Sequence, residues 1–342
     1  MENEFFIHNL TEFISFITLH NDDRINGYRQ EISESNEVIR KFKQISEDGK
    51  FGNAMDYILP FFLQNSLILY DFLWYLEYEH FDASERIRFY YRGNSDKKYK
   101  LAPGIYRVNS KDENYFFREM QVRCAMQLSQ DALLDKLVYL QHYECPTRLL
   151  DITTNPLVVL YFACGGTTKA DGAVFCFNVR EKDVLYPNSD RAQMLSHLCE
   201  FSKKEQQQIM VYAMLSYLSG KFKQKPPVGK YVEPIIERLY HAIKRETAAF
   251  EREMRPFDLL RPAFIQVAKS NPRIVKQDGA FIISGLSVDE IDCDWRINKY
   301  VSQRIIVPAS SKAVILKELE QVGICEATLF PEADKVASYL KR

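Results

Sequence analysis

At residue 87 the chain takes up a period of two. Ile87, Phe89 and Tyr91 alternate with Arg88, Tyr90 and Arg92, which puts one set of side chains on each face of a strand. Gly93-Asn94 closes that strand, and Leu101 to Arg107 (LAPGIYR) reads as a tight Pro-Gly turn. Glu113 to Leu140 predicts a long helical stretch. A polar, turn-forming segment separates it from a second apolar run, Pro156 to Cys164. Proline suits the first position of a helix, where its missing N–H would have no partner anyway, and Asn155 stands where an N-cap is needed. Gly165-Gly166 breaks this helix, and Asp171-Gly172 turns the chain into GAVFCFNV, residues 172–179, a continuous apolar strand.

Beyond it, residues from about 185 to 255 predict a helical insertion. Its last helix, Glu233–Glu253, has an apolar face of Ile235, Ile236, Leu239, Ile243 and Phe250, with Glu251-Arg252-Glu253 as a solvated end. Pro256 to Ala263 reads as irregular. Gln277-Asp278-Gly279 turns into a strand near 280–284, and Gln303 to Pro308 holds another near 304–307. Ser311 is placed to cap a helix Lys312–Val322, which Gly323 ends. A turn at Phe330-Pro331 and an amphipathic helix follow. Residues 1–85 predict a helical N-terminal cap: Phe13, Phe16, Ile17 and Leu19 mark a short amphipathic helix, Glu31 to Lys50 is polar, and Met55 to Tyr78 is apolar enough to need a covering surface. The fold class expected is α+β, with a mixed or antiparallel core sheet, in two parts: the cap over 1–85 and a larger domain over 86–342.

Composition narrows the picture only slightly. With 46% hydrophobic and 27% charged residues and a net charge of −1, the chain is an ordinary globular one without a general pull toward nucleic acid or acidic membrane. No apolar run reaches the length of a membrane span, and the start lacks a signal-like pattern. Seven scattered cysteines without a CxxC pair fit a reducing, cytoplasmic setting. His142 with Cys145, and His197 with Cys199, belong to no four-ligand metal pattern, so no metal site is expected. P-loop, dinucleotide and nucleophile-elbow fingerprints are absent.

The candidate chemistry lies in two places. Arg92 ends a strand beside a glycine that lets another group approach the backbone. His142, Thr147, Arg148, Asp151 and Asn155 crowd the polar segment between the two apolar runs. For Arg148 and Asp151 the competing reading is a buried ion pair stapling a loop to the core.

These residues form motifs that resemble the FRG domain family, named for an aromatic-Arg-Gly motif. Here that motif is Tyr91-Arg92-Gly93. The resemblance continues through Leu101-Ala102-Pro103-Gly104-Ile105-Tyr106-Arg107, then His142 to Asp151 (HYECPTRLLD), Asn155-Pro156-Leu157 and Tyr161-Phe162-Ala163. It ends with Gln277-x-Gly279-x-Phe281 and Leu329-Phe330-Pro331, covering roughly 86–342. A weaker likeness, an aromatic-Arg-Gly at a strand end, is to ADP-ribosyltransferases whose arginine orients NAD, and it lends the expected fold an ADP-ribosyltransferase-like character. Those enzymes carry a late glutamate before a short apolar strand. This chain has Gln303 and Arg304 in the comparable place.

What the resemblance implies is NAD as substrate, held by Arg92, Gly93, Thr147, Arg148, Asn155 and Gln277. His142 and a carboxylate, Asp151 or Glu326, would be catalytic. Either carboxylate has a structural alternative, Asp151 through Arg148 and Glu326 as a cap. The implied activity is an ADP-ribosyltransferase or NAD glycohydrolase acting on a nucleic acid or protein, as a toxin or phage-defence effector with an antitoxin or regulatory partner. The alternative is a non-catalytic nucleotide- or phosphate-binding module. On either reading Arg92, His142, Arg148 and Asp151 are expected to converge in one cleft.

Overall fold

The structure is a computed structural model that describes residues 4–19, 60, 64, 70, 86–108, 112–128, 132–166, 169–218, 233–250 and 255–341. Its strands are β1 (Glu4–Phe6), β2 (Ile87–Asn94), β3 (Leu149–Thr153), β4 (Gly172–Arg180), β5 (Val184–Leu185), β6 (Ala263–Ile265), β7 (Gly279–Ile283) and β8 (Val301–Val307). The main helices are α1 (Leu10–Leu19), α2 (Glu113–Arg123), α3 (Leu133–His142), α4 (Pro156–Cys164), α5 (Asp190–His197), α6 (Lys203–Leu218), α7 (Glu233–Glu246), α8 (Glu290–Asn298), α9 (Lys312–Gln321) and α10 (Ala333–Leu340). Short helical turns lie between some of them.

The strands form one mixed sheet in the order β1-β8-β4-β2-β3-β7-β6-β5. The outer pairs β1–β8 and β5–β6 are parallel, and the pairs between are antiparallel. Helices bury both faces. Ala173, Phe175 and Phe177 of β4 enter one core with Leu133, Leu137 and Leu140 of α3. Val174 and Cys176 of the same strand enter the other, with Phe13 of α1, Val159 and Ala163 of α4, and Ile315 of α9. A strand covered on both sides has no polar face to keep, which is why 172–179 lacks alternation.

The sheet has a seam. β2 pairs with β4 along its whole length, but with β3 through the single pair Tyr91↔Thr153. Two four-stranded halves therefore meet at β2 and β3. They close over a shared core, where Tyr90 of β2 and Phe177 of β4 meet Phe264 of β6 at centroid distances of 5.6 and 5.5 Å.

Helix α4 packs on this region as closely as backbones allow. A Cβ on Gly93 would sit 2.2 Å from the Val159 carbonyl oxygen, and one on Gly172 would sit 2.2 Å from that of Ala163. The group that Gly93 admits is thus the backbone of α4. Asn155 caps that helix as expected: its Oδ1 accepts from Leu157 N at 3.0 Å and Val158 N at 3.4 Å. The same Asn-Pro device opens Pro272–Lys276, where Asn271 Oδ1 accepts from Arg273 N at 2.8 Å.

Several expectations change. β3 occupies a stretch read as a polar loop, and β6 begins at Ala263, the last residue of the stretch read as irregular. The helix expected over Glu113–Leu140 is broken into α2, a short turn and α3. Ser311 makes no capping bond to α9, while Gly323 does end it, at φ +81°. Of the first 85 residues, β1 joins the sheet beside β8 and α1 follows; Glu31–Lys50 and most of Met55–Tyr78 lie outside the described residues, as does Glu251-Arg252-Glu253.

Candidate functional site

Arg92, Tyr90 and Arg88 alternate with residues of the α4 face, so they point toward the core that the two half-sheets share. Where β2 parts from β3, the carbonyl of Asp151 has no ladder partner on the β2 side. Arg92 Nη1 reaches across and donates to it at 2.5 Å. The guanidinium is otherwise unengaged among the described residues, and its Nε is shielded from water without a hydrogen-bond partner. Withdrawal from water brings Arg92 down to about 10; the Asp151 carboxylate resists the fall and Arg107 adds to it. Arg92 stays cationic at neutral pH, yet a stranded donor of this kind costs about 1–3 kcal/mol. The partly exposed remainder of the guanidinium can meet an incoming anion, and a guanidinium matches phosphate geometry with two donors.

Asp151 stands on β3 with its side chain exposed. Its Oδ2 accepts from Gln141 Nε2 at 2.9 Å, and Gln141 Oε1 accepts from Thr147 Oγ1 at 2.7 Å. Gln141 was not singled out from sequence, although it directly precedes His142 in the motif. Thr147 is buried, and its hydroxyl also accepts from Leu149 N at 3.1 Å. It shapes the entry to β3, and Ile105 N donates to its carbonyl at 3.2 Å, which seats the LAPGIYR turn against the same segment.

Arg148 does not join this group. It is 1% exposed and forms a buried ion pair with Glu113 of α2. Glu113 accepts from Arg148 N and Arg148 Nε, each at 2.9 Å. Burial opposes the charge of Arg148, but Glu113 and Tyr106 hold it above its ordinary value. The ion pair weighed for this arginine exists, with Glu113 in place of Asp151. The single cleft expected for Arg92, His142, Arg148 and Asp151 therefore lacks Arg148, because its charge is neutralised inside the core.

His142 ends α3 and turns toward Glu332, with Nε2 3.6 Å from Glu332 Oε1. Burial and Arg273 lower its pKa, and Glu332 opposes them. Asn155 is used by the cap and by a 3.2 Å bond from its Nδ2 to Asp278. Gln277 ties chain segments together: its Nε2 donates to the Leu329 carbonyl at 3.0 Å, and its own carbonyl accepts from Thr153 Oγ1 at 2.7 Å. Glu326 opens the short helix Glu326–Leu329, which packs on Pro272–Lys276. A groove of about 560 Å³ opens between Arg88 of β2 and Thr154 beyond β3, lined also by Tyr186, Gln266, Lys269 and Asp278. Its charges are already matched, Arg88 with Glu181 at 2.6 Å and Lys269 with Asp278 at 3.3 Å.

The geometry defines an α+β domain with an arginine set in a split sheet. Residues 87–172 match the family model of the FRG domain, so the chain carries an FRG domain. That span holds Arg92, Gln141, His142, Thr147, Arg148, Asp151 and Asn155; Gln277 and Leu329-Phe330-Pro331 lie beyond it. No curated protein and no solved structure matches the chain. Among the described residues, no helix is long and apolar enough to cross a membrane, and no cluster of His, Cys, Asp and Glu could hold a metal ion.

Proposed function

We propose that the seam of this FRG domain binds a nucleotide through its phosphates, with NAD the foremost ligand. The observation that carries this reading is Arg92: a cation at a gap in the sheet, with one hydrogen bond and a stranded Nε among the described residues. Arg107, close enough to weaken the charge of Arg92, adds positive potential for a diphosphate.

A second reading, NAD-consuming ADP-ribosyl transfer or hydrolysis, is favoured by Asp151. This exposed carboxylate sits on the residue whose own carbonyl anchors Arg92, and Gln141 fixes one of its oxygens. It would stabilise charge developing at the ribose. Against it stands β8: Gln303 is opposite Cys176 of β4, where the resemblance to transferases calls for glutamate. Binding is therefore the primary reading. Modification of a nucleic acid or protein in a defence setting, with an antitoxin-like regulator, is the extension that turnover would support.

Calorimetry with NAD, ADP-ribose and ADP, run beside an assay of nicotinamide release, tests both. Binding without release supports the module. Release that Asp151→Asn abolishes supports the enzyme. Absence of binding by all three ligands overturns the reading.

A further inference from the structure

Glu332 directly follows the Leu329-Phe330-Pro331 turn and faces His142. Its Oε2 is shielded from water and has no hydrogen-bond partner among the described residues. Its Oε1 faces His142 Nε2 across 3.6 Å, beyond hydrogen-bond range but close enough for one oxygen to sit about 2.8 Å from both. The two side chains are 16% and 32% exposed, so a ligand can reach them.

The turn that precedes Glu332 is fixed at several points. Gln277 grips the Leu329 carbonyl at 3.0 Å. Phe330 lies under the Arg273 guanidinium at 4.6 Å and meets Phe162 edge-on at 6.1 Å. Phe162 in turn borders Gly93, whose missing Cβ would lie 3.0 Å from the Phe162 Cβ. The Leu-Phe-Pro turn is thereby fastened to the residue that follows Arg92. On the other side His142 follows Gln141, which holds Asp151.

We propose that Glu332, delivered by the Leu329-Phe330-Pro331 turn, is a ligand-binding carboxylate that shares a ribose hydroxyl with His142, the part expected of Glu326. A hydroxyl in the gap donates to the carboxylate and accepts from the imidazole N–H. This rests on the nucleotide reading above, with Arg92 taking the diphosphate and the His142–Glu332 pair taking the sugar beyond it.

The test is calorimetry of ADP-ribose and ADP with the full chain and with Glu332→Gln and Glu326→Gln. The unmodified chain is expected to bind ADP-ribose more tightly than ADP, which lacks the terminal ribose. Glu332→Gln is expected to weaken ADP-ribose about tenfold, the size of a lost hydrogen bond to a charged group, and to leave ADP unchanged. Glu326→Gln is expected to change neither. Equal weakening of both ligands by Glu332→Gln, no weakening, or equal affinity of the unmodified chain for the two overturns the proposal while nucleotide binding stands. Failure of the unmodified chain to bind either ligand overturns this proposal, and failure to bind NAD as well overturns the nucleotide reading with it.

Discussion

Arg92 and Arg148 belong to neighbouring motifs of one domain, and the fold treats them in opposite ways. Arg148 is buried against Glu113 and Gln206, with its backbone N–H bound by the same carboxylate. Its Nη1 also lacks a partner among the described residues, but at 1% exposure no ligand reaches it. Arg92 is partly exposed, and among the described residues it bonds a backbone carbonyl and pairs with no carboxylate. A guanidinium neutralised in the core is a fastening; one left partly unanswered at an open seam has capacity for a ligand. Residue type does not separate the two, and partners do.

The comparison can be broken at the fastening first. Glu113→Ala strands a buried charge, and denaturant unfolding should show a loss of about 3–5 kcal/mol. Replacing the pair with Glu113→Leu and Arg148→Met should restore much of it, since an apolar pair of similar bulk leaves no charge unpaired. Recovery would fix Arg148 as structural; a double variant as unstable as Glu113→Ala would point to a further role. Next comes the glycine after Arg92. Gly93→Ala puts a methyl group against the Val159 carbonyl, and the forced shift of α4 should cost about 1–3 kcal/mol. Because β2 carries Arg92, weakened nucleotide binding should accompany that loss of stability.

Much of this was legible along the chain because it is local. The alternation at Ile87–Arg92 marks β2, and Asn155-Pro156 marks the start of α4 through a cap within three residues. The motif order pointed to the FRG domain that the family match then showed. What the chain hid depends on partners far apart. Glu113 precedes Arg148 by 35 positions, so the nearer Asp151 seemed the natural partner. β3 was masked by polar Thr147 and Asp151, which serve a turn and an open strand edge rather than a loop. Gln141 and Glu332 carry no signal of their own, since a glutamine on a helix and a glutamate after a turn are ordinary surface residues.

The central claim is that Arg92 answers a ligand rather than the fold. The direct measurement takes one preparation of Arg92→Ala and determines both its unfolding free energy and its Kd for NAD. The account expects the affinity to fall at least about tenfold, and stability to change by no more than the roughly 0.5–1.5 kcal/mol of one hydrogen bond. Unchanged affinity, or a loss of stability as large as that of Glu113→Ala, would make Arg92 a second fastening and contradict the account.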